Sequence, residues 1–320
     1  MFQLFIHVIW AQCLNCIDMK NARFALVVCM LIFYSDQLLA QLDQCKGIAP
    51  FLTQLGFDPA RCYFTTSEKH DMGLMLLESS QPGNPNARIT KRYQHPSWKS
   101  AGFLGAIATD EAGNIYVLPT AKVNLLHNLP ALQNTIYKVD ANTGVMHAFL
   151  SLPGGDKVGP KNPFGLLGSF YDCSTKQLWV STVAGSHEGR EIGKVYAVDV
   201  KTRKTTLILE NKDIYGLAIH LVQGKRTLFL SSARSSDLYT IELNGENKPI
   251  SELTQILSIQ GLGPRGDDRI RKIRFQPNGN MILNTVMFYY NLTAPSEEQQ
   301  SKFIYQMNPS SQKWDLIQIQ

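Results

Sequence analysis

The feature that most constrains this chain is a short strand-forming phrase that returns about every fifty residues. Its copies are Tyr63-Phe64-Thr65, Ile115-Tyr116-Val117, Leu178-Trp179-Val180, Leu228-Phe229-Leu230 and Met281-Ile282-Leu283, with central residues 52, 63, 50 and 53 apart. A second phrase, apolar-Tyr-x-apolar-acid, follows as Ile136-Tyr137-Lys138-Val139-Asp140, Val195-Tyr196-Ala197-Val198-Asp199 and Leu238-Tyr239-Thr240-Ile241-Glu242. Ile304-Tyr305-Gln306-Met307-Asn308 is a fourth copy and Leu74-Met75-Leu76-Leu77-Glu78 a degenerate fifth. Each unit has a leading strand, near 51–55, 104–108, 166–170, 217–221 and 270–275, and a trailing one, near 88–92, 145–150, 205–209, 253–257 and 314–319. Four antiparallel strands recurring at this period mark the blade of a β-propeller. One such sheet cannot bury both faces; stacking blades around an axis does so and leaves no long exposed edges. The expected fold is therefore all-β, a β-propeller of four-stranded antiparallel blades over residues 41–320. Five blades fill that length. Six stay open if the segment before Cys62 hides a strand pair or if residues 79–102 hold more than one connection.

Residues 1–40 stand outside this pattern. Lys20 and Arg23 precede an apolar run over 24–34, and Leu38-Leu39-Ala40 supplies a small residue where a signal peptidase cuts. This is the layout of a secretory signal, with Met19 as an alternative start and Gln41 as the mature end. An uncleaved anchor is the competing reading, although the run falls short of the ~20 residues a span needs. Export, periplasmic or secreted, suits a disulfide between Cys45 and Cys62, which lie seventeen residues apart. Such a loop is worth ~3 kcal/mol in the chain-entropy picture. With 44 % apolar and 18 % charged residues, the chain is no disordered tail, collagen or multi-span membrane protein. Its net charge of 31 − 26 = +5 is spread along the sequence, so no nucleic-acid partner is expected.

The wording of the repeat resembles the broad superfamily of NHL-repeat and gluconolactonase/regucalcin-like propellers. The phrases that carry it are Asp110-Glu111-Ala112-Gly113-Asn114-Ile115-Tyr116-Val117, Ile136-Tyr137-Lys138-Val139-Asp140 and Phe275-Gln276-Pro277-Asn278-Gly279-Asn280. These are turn and strand grammar, with Asp or Asn beside Gly supplying the positive φ of a tight turn. The resemblance therefore speaks to architecture. Gluconolactonase-like enzymes are expected to set Glu, Asn and Asp around a central divalent cation, but the corresponding strand starts here read Ala101-Gly102-Phe103, Pro163-Phe164-Gly165 and Tyr215-Gly216.

Strands in a blade alternate direction, so first–second and third–fourth connections share one end of the ring. Those are short, whereas the other class is long and chemically rich, and long loops in a compact repeat tend to carry function. The long-loop face is thus the expected binding face. His70 with Asp71, and His187 with Glu188, are the acid–base candidates for catalysis. Trp98, His127, Tyr289 and Tyr290 are candidates for stacking on a flat ligand. Asn162, Arg190, Asp213, Arg265 and Arg269 are polar binding candidates. Asp267 and Asp268 are the candidate ligands of a hard cation such as calcium; beside Arg265, Arg269 and Arg271 the favoured reading is a structural salt-bridge knot. No cofactor is otherwise predicted. Asn291-Leu292-Thr293 matches a glycosylation acceptor.

Two readings follow. The first is an exported propeller that binds a small molecule, glycan or protein partner, favoured because no Gly-x-Ser-x-Gly, His-Glu-x-x-His or phosphate-loop motif occurs. The second is a metal-dependent hydrolase or lactonase, as the resemblance implies, with Asn162, Asp213, Asp267 and Asp268 as its nearest cage.

Overall fold

A computed structural model describes residues 47–66, 72–81, 87–121, 129–154, 157–159, 161–291 and 300–320. The leader, Cys45, His70, Asp71, His127 and Leu292-Thr293 lie outside the described residues. Residues Asp43–Gln320 form one compact unit.

The unit is a five-bladed β-propeller built from consecutive sequence. The first sheet holds β1 (Cys62–Thr65), β2 (Met75–Ser79) and β3 (Ile89–Tyr93). The second holds β4 (Leu104–Thr109), β5 (Ile115–Pro119), β6 (Thr135–Val139) and β7 (Met146–Ser151). The third holds β8 (Leu166–Asp172), β9 (Gln177–Thr182), β10 (Lys194–Asp199) and β11 (Thr205–Glu210). The fourth holds β12 (Ile214–Val222), β13 (Lys225–Ser232), β14 (Asp237–Glu242) and β15 (Thr254–Ser258). The fifth holds β16 (Arg269–Phe275), β17 (Met281–Val286), β18 (Ser301–Asn308) and β19 (Lys313–Ile319). Every sheet runs in sequence order with antiparallel neighbours. The lead strands β4, β8, β12 and β16 lie side by side around the axis.

The sequence dictates the strands through their burial. β5 is buried throughout, and β9 and β10 nearly so, because they are packed on both faces, as a run such as Leu178-Trp179-Val180 requires. The last strands are mostly exposed, β19 most of all. Tight turns lock the hairpins. Asp110, buried, takes the backbone N–H of Ala112 and Asn114 and the Asn114 amide on its carboxylate. Each lead strand breaks register near its start, between Leu104 and Ile107, Leu166 and Ser169, Ile214 and Leu217, and Ile270 and Lys272. Glycine sits in the break where blades approach most closely. A Cβ on Gly168 would fall 2.2 Å from the Tyr215 carbonyl oxygen, and one on Gly216 would fall 2.8 Å from that of Arg271. In the fifth sheet the equivalent place is held by Arg271.

The first blade departs from expectation. Its predicted leading strand at 51–55 is instead a short helix, α1 (Pro50–Gln54). Pro50 presets the first helical φ, and Gly56, at φ +71°, ends the helix as only glycine does without strain. Lys91 Nζ caps it by donating to the carbonyls of Leu55 (2.6 Å) and Gly56 (3.0 Å). Phe51 and Leu52 bury their side chains in the core between the first two sheets. The first sheet therefore has three strands, and β1 is the strand that meets the axis: the Thr66 hydroxyl donates to the Gly105 carbonyl at 2.7 Å.

Four apolar clusters fill the gaps between successive sheets, first to second, second to third, third to fourth and fourth to fifth. Among the described residues none joins the fifth sheet to the first. No helix of the described residues is long and apolar enough to cross a membrane.

Candidate functional site: a basic axial channel

The axis holds a cavity of ≈ 500 Å³ walled by β4, β8, β12 and β16, within the usual range for small-molecule sites. Three walls are small or apolar, with Ala106, Ala108, Gly168, Leu217 and Ala218 exposed to it. The fourth wall is β16, whose sequence Arg269-Ile270-Arg271-Lys272-Ile273-Arg274-Phe275 alternates cations with apolar residues. Ile270, Ile273 and Phe275 are buried in the core shared with the fourth sheet. Arg271, Lys272 and Arg274 line the channel.

The channel continues into the gap between the fifth and first sheets. There a further ≈ 140 Å³ is lined by Phe64, Thr65, Thr66, Gly105, Ile107, Arg271, Lys272, Asn284 and Gln300. Where the other gaps are filled with aliphatic and aromatic side chains, this one is polar. No Asp or Glu lines either space among the described residues, and none is ion-paired to Arg271, Lys272 or Arg274 there. Desolvation by the surrounding wall, with Arg274 and Arg271 as like charges beside it, pulls the Lys272 amine from 10.5 down to about 8. The amine is nonetheless open to water, so it lies in a water-accessible, protein-walled channel. The Ser169 hydroxyl, buried and without a hydrogen-bond partner, lines the same channel. A cleft of one sign of charge with low-dielectric walls focuses its field and concentrates ions of the other sign.

The long-loop end is organised around Asp213, which is 0 % exposed. Its carboxylate accepts from Ser186 Oγ (2.5 Å), the Gly193 backbone N–H (2.9 Å), Arg234 Nε (2.7 Å) and Tyr290 Oη (2.6 Å). Arg234 then spreads its remaining N–H groups over the carbonyls of Glu188, His187 and Arg190. Beside this knot Phe288 packs on Phe164, Tyr215 and Tyr290. That cluster includes Leu167, which also lines the channel.

The structure sorts the predicted residues clearly. Asp213 and Tyr290 do come together, while Arg190 joins them only through its backbone carbonyl on Arg234, and Asp213 has every acceptor site engaged by protein. Burial and the Asp213 carboxylate push the Tyr290 phenol up, so it stays a donor. Asn162 is buried and spans its own loop, donating to the Val183 carbonyl and accepting from the Phe164 N–H. Trp98 is corrected from surface platform to core: it is 0 % exposed, ringed by Phe51, Phe64 and Tyr93, with its indole N–H on the Gly144 carbonyl at 2.8 Å. The His187 ring accepts from the Gly189 N–H at 3.3 Å, and no bond joins it to the exposed Glu188. Asp268 is gripped at both oxygens by Arg265 (2.5 and 2.8 Å) and at one of them also by Thr285 (2.9 Å). Arg269 donates to the Asp267 carbonyl, and Tyr289, 44 % exposed, reaches the Asp267 carboxylate at 3.4 Å. Of the expected salt-bridge knot, the Arg265–Asp268 pair is formed, whereas Arg269 meets Asp267 at its backbone carbonyl and Arg271 lines the channel. Among the described residues no three His, Cys, Asp or Glu side chains converge as a metal cage. Asn162, Asp213, Asp267 and Asp268 bond different partners. Cys62 is a free thiol, so the bond expected to Cys45 is not formed.

Sequence reasoning missed the channel. Its signal lay in the lead strands taken together: β4, β8 and β12 carry no Lys or Arg, whereas β16 carries four.

No family profile and no curated protein matches the chain. Solved structures similar to it include an exo-β-1,3-galactanase from Clostridium thermocellum (14 % identity, 69 % of this chain and 49 % of that one, TM-score 0.43). Others are the apo soluble aldose sugar dehydrogenase of Escherichia coli (15 %, 74 % and 77 %, TM-score 0.41) and a chain of a nidogen/laminin complex (10 %, 76 % and 89 %, TM-score 0.42). Likenesses this distant name no activity for this chain.

Proposed function

We propose that this chain is an exported binding propeller that takes a small anionic molecule, a carboxylate, phosphate ester or acidic sugar, in its axial channel. The observation that carries the reading is the set of three cations on β16 facing a ≈ 500 Å³ cavity with no acid in its described wall. Guanidinium groups bind carboxylate and phosphate oxygens in pairs, and small or apolar walls on the other lead strands leave room for the body of the ligand. On the long-loop face, expected to be the binding face, the described residues Ser186, Asp213, Arg234 and Tyr290 bond one another and serve as a frame. Export rests on the leader sequence. The metal-dependent lactonase reading draws on the resemblance; of its four cage residues Asn162, Asp213 and Asp268 are bonded within the protein.

The test is thermal unfolding of the purified chain with inorganic phosphate, glucuronate, glucose or calcium. A ligand at about a hundred times its dissociation constant adds ~2.7 kcal/mol to the native state. Phosphate and glucuronate should raise Tm, glucose should not, and Arg271→Ala with Arg274→Ala should remove the effect. Equal shifts with glucose, or a double variant that responds like the parent, would overturn the reading. A shift with calcium alone would favour the hydrolase.

A further inference from the structure

Among the channel's cations Lys272 has a distinct chemical character. An arginine keeps its proton at any working pH, so Arg271 and Arg274 can only attract and orient. The Lys272 amine lies beside two guanidinium groups with no carboxylate in the described lining to hold its proton, and with its value lowered to about 8 a minor fraction presents a free electron pair near pH 7.5, far more than an ordinary lysine offers. Lys272 lines both the axial cavity and its side branch toward the first sheet. A ligand in either space therefore borders Lys272.

We infer that Lys272 is a nucleophilic amine that forms an imine with the carbonyl of an anionic aldehyde or keto acid drawn into the channel by Arg271 and Arg274. This deepens the proposed function and rests on it. The step balances without an oxidant or metal. The Nζ lone pair attacks the carbonyl carbon, the carbonyl oxygen takes protons and leaves as water, and a C=N bond remains. Proton transfers fall to solvent, to which Lys272 is exposed. The neighbouring guanidinium groups hold the anionic end of the ligand.

Pyridoxal 5′-phosphate, an aldehyde carrying a phosphate, is the probe. The full chain is incubated with it near pH 7.5, reduced with borohydride and mapped by peptide mass spectrometry. Lys272 should be the first lysine labelled, at least about tenfold ahead of the exposed lysines. Inorganic phosphate should suppress the labelling. Pyridoxal, which lacks the phosphate, should label it no better than surface lysines. Lys272→Arg should lose that peptide's label while keeping a cooperative thermal transition, which shows that the variant folds. Label spread evenly over the lysines, with the phosphate shift intact, would overturn the nucleophile and leave the anion site standing. Loss of the phosphate shift in the parent protein would remove both. Equal labelling by pyridoxal would show that the channel does not select anions for this amine.

Discussion

Tyr290 donates its phenolic proton to Asp213 at 2.6 Å across seventy-seven positions of sequence, tying the β17–β18 connection of the fifth sheet to the entry of the fourth. The same carboxylate takes Arg234 Nε at 2.7 Å, and Arg234 lies over the Tyr290 ring at 5.2 Å. Tyrosine, carboxylate and guanidinium therefore form one buried unit that fixes the loops of three sheets together. Hydrogen bonds to a buried charge contribute more than neutral ones, roughly 1.5–3 kcal/mol. Tyr290→Phe should lose about that much stability with little change in packing. Asp213→Ala should cost about 3–5 kcal/mol, because it strands the Arg234 charge. Denaturant midpoints at constant m-value check both. If Asp213→Ala unfolds no more easily than the parent, the knot is ornamental.

The Trp98 correction carries its own prediction. A wholly buried indole against three aromatic rings is a packing element, and truncating such a residue costs ~3–5 kcal/mol. Trp98→Ala should therefore be among the most destabilising single changes in the first two sheets. At temperatures where the variant is folded, anion binding in the channel should be unchanged. A variant of parental stability that loses binding would return Trp98 to the ligand site.

A second clasp joins the third and fourth sheets at the short-turn end. Arg226 pairs with the buried Asp172 and donates to Asn247 Oδ1 at 2.7 Å and Ser174 Oγ at 2.9 Å. Asn247 in turn donates to Thr175 Oγ1 (2.8 Å) and Gln177 Oε1 (2.6 Å). Arg226→Ala leaves Asp172 buried with fewer donors and should cost ~3–5 kcal/mol. Replacing both Arg226 and Asp172 by apolar residues should recover part of that loss. A double-mutant cycle measures the coupling, and a coupling near zero would show that the pair adds nothing beyond its separate side chains.

How much of this was legible in the sequence follows from which forces act locally. The blade repeat was readable because strands packed on both faces need unbroken apolar runs, such as Leu178-Trp179-Val180, and tight turns need Asp, Asn and Gly. The helix at Pro50–Gln54 was misread as a strand because Phe51 and Leu52 suit either structure. The deciding marks were Pro50 at the first helical position and Gly56 just beyond the end. Trp98 read as a surface aromatic because it falls in a loop. Only the ring packing of the first two sheets around it reveals the core position. The channel was least visible: the alternation of β16 looks like that of any half-exposed strand, and only closure of the ring turns its polar side toward the first sheet rather than bulk water.

The pH response of the channel separates Lys272 from its neighbours. Its folded-state value of about 8 lies below the 10.5 of the unfolded chain. Below pH 8 both states carry the charge, and the folded state bears the cost of confining it. Between about pH 8 and 10.5 the unfolded chain holds a proton that the folded chain has released, so stability rises with pH across that window. The groups facing Lys272 from the other walls are Thr109 of β4, Ser169 and Tyr171 of β8, Thr65 and Thr66 at β1, Asn284 of β17 and Gln300. Of these only Tyr171 titrates, and burial together with Glu111 pushes its phenol up and out of the window. Lys272→Met should therefore raise stability below pH 8 and flatten the rise above it. Anion binding should respond in the opposite sense. It should weaken by several fold as the parent protein passes pH 8 and stay level in Lys272→Arg, whose charge does not titrate there. Calorimetric titration with inorganic phosphate at pH 7.0 and pH 9.0 in the two proteins reads the difference, at ionic strength matched to keep screening constant. Identical pH profiles would place Lys272 outside the anion's reach.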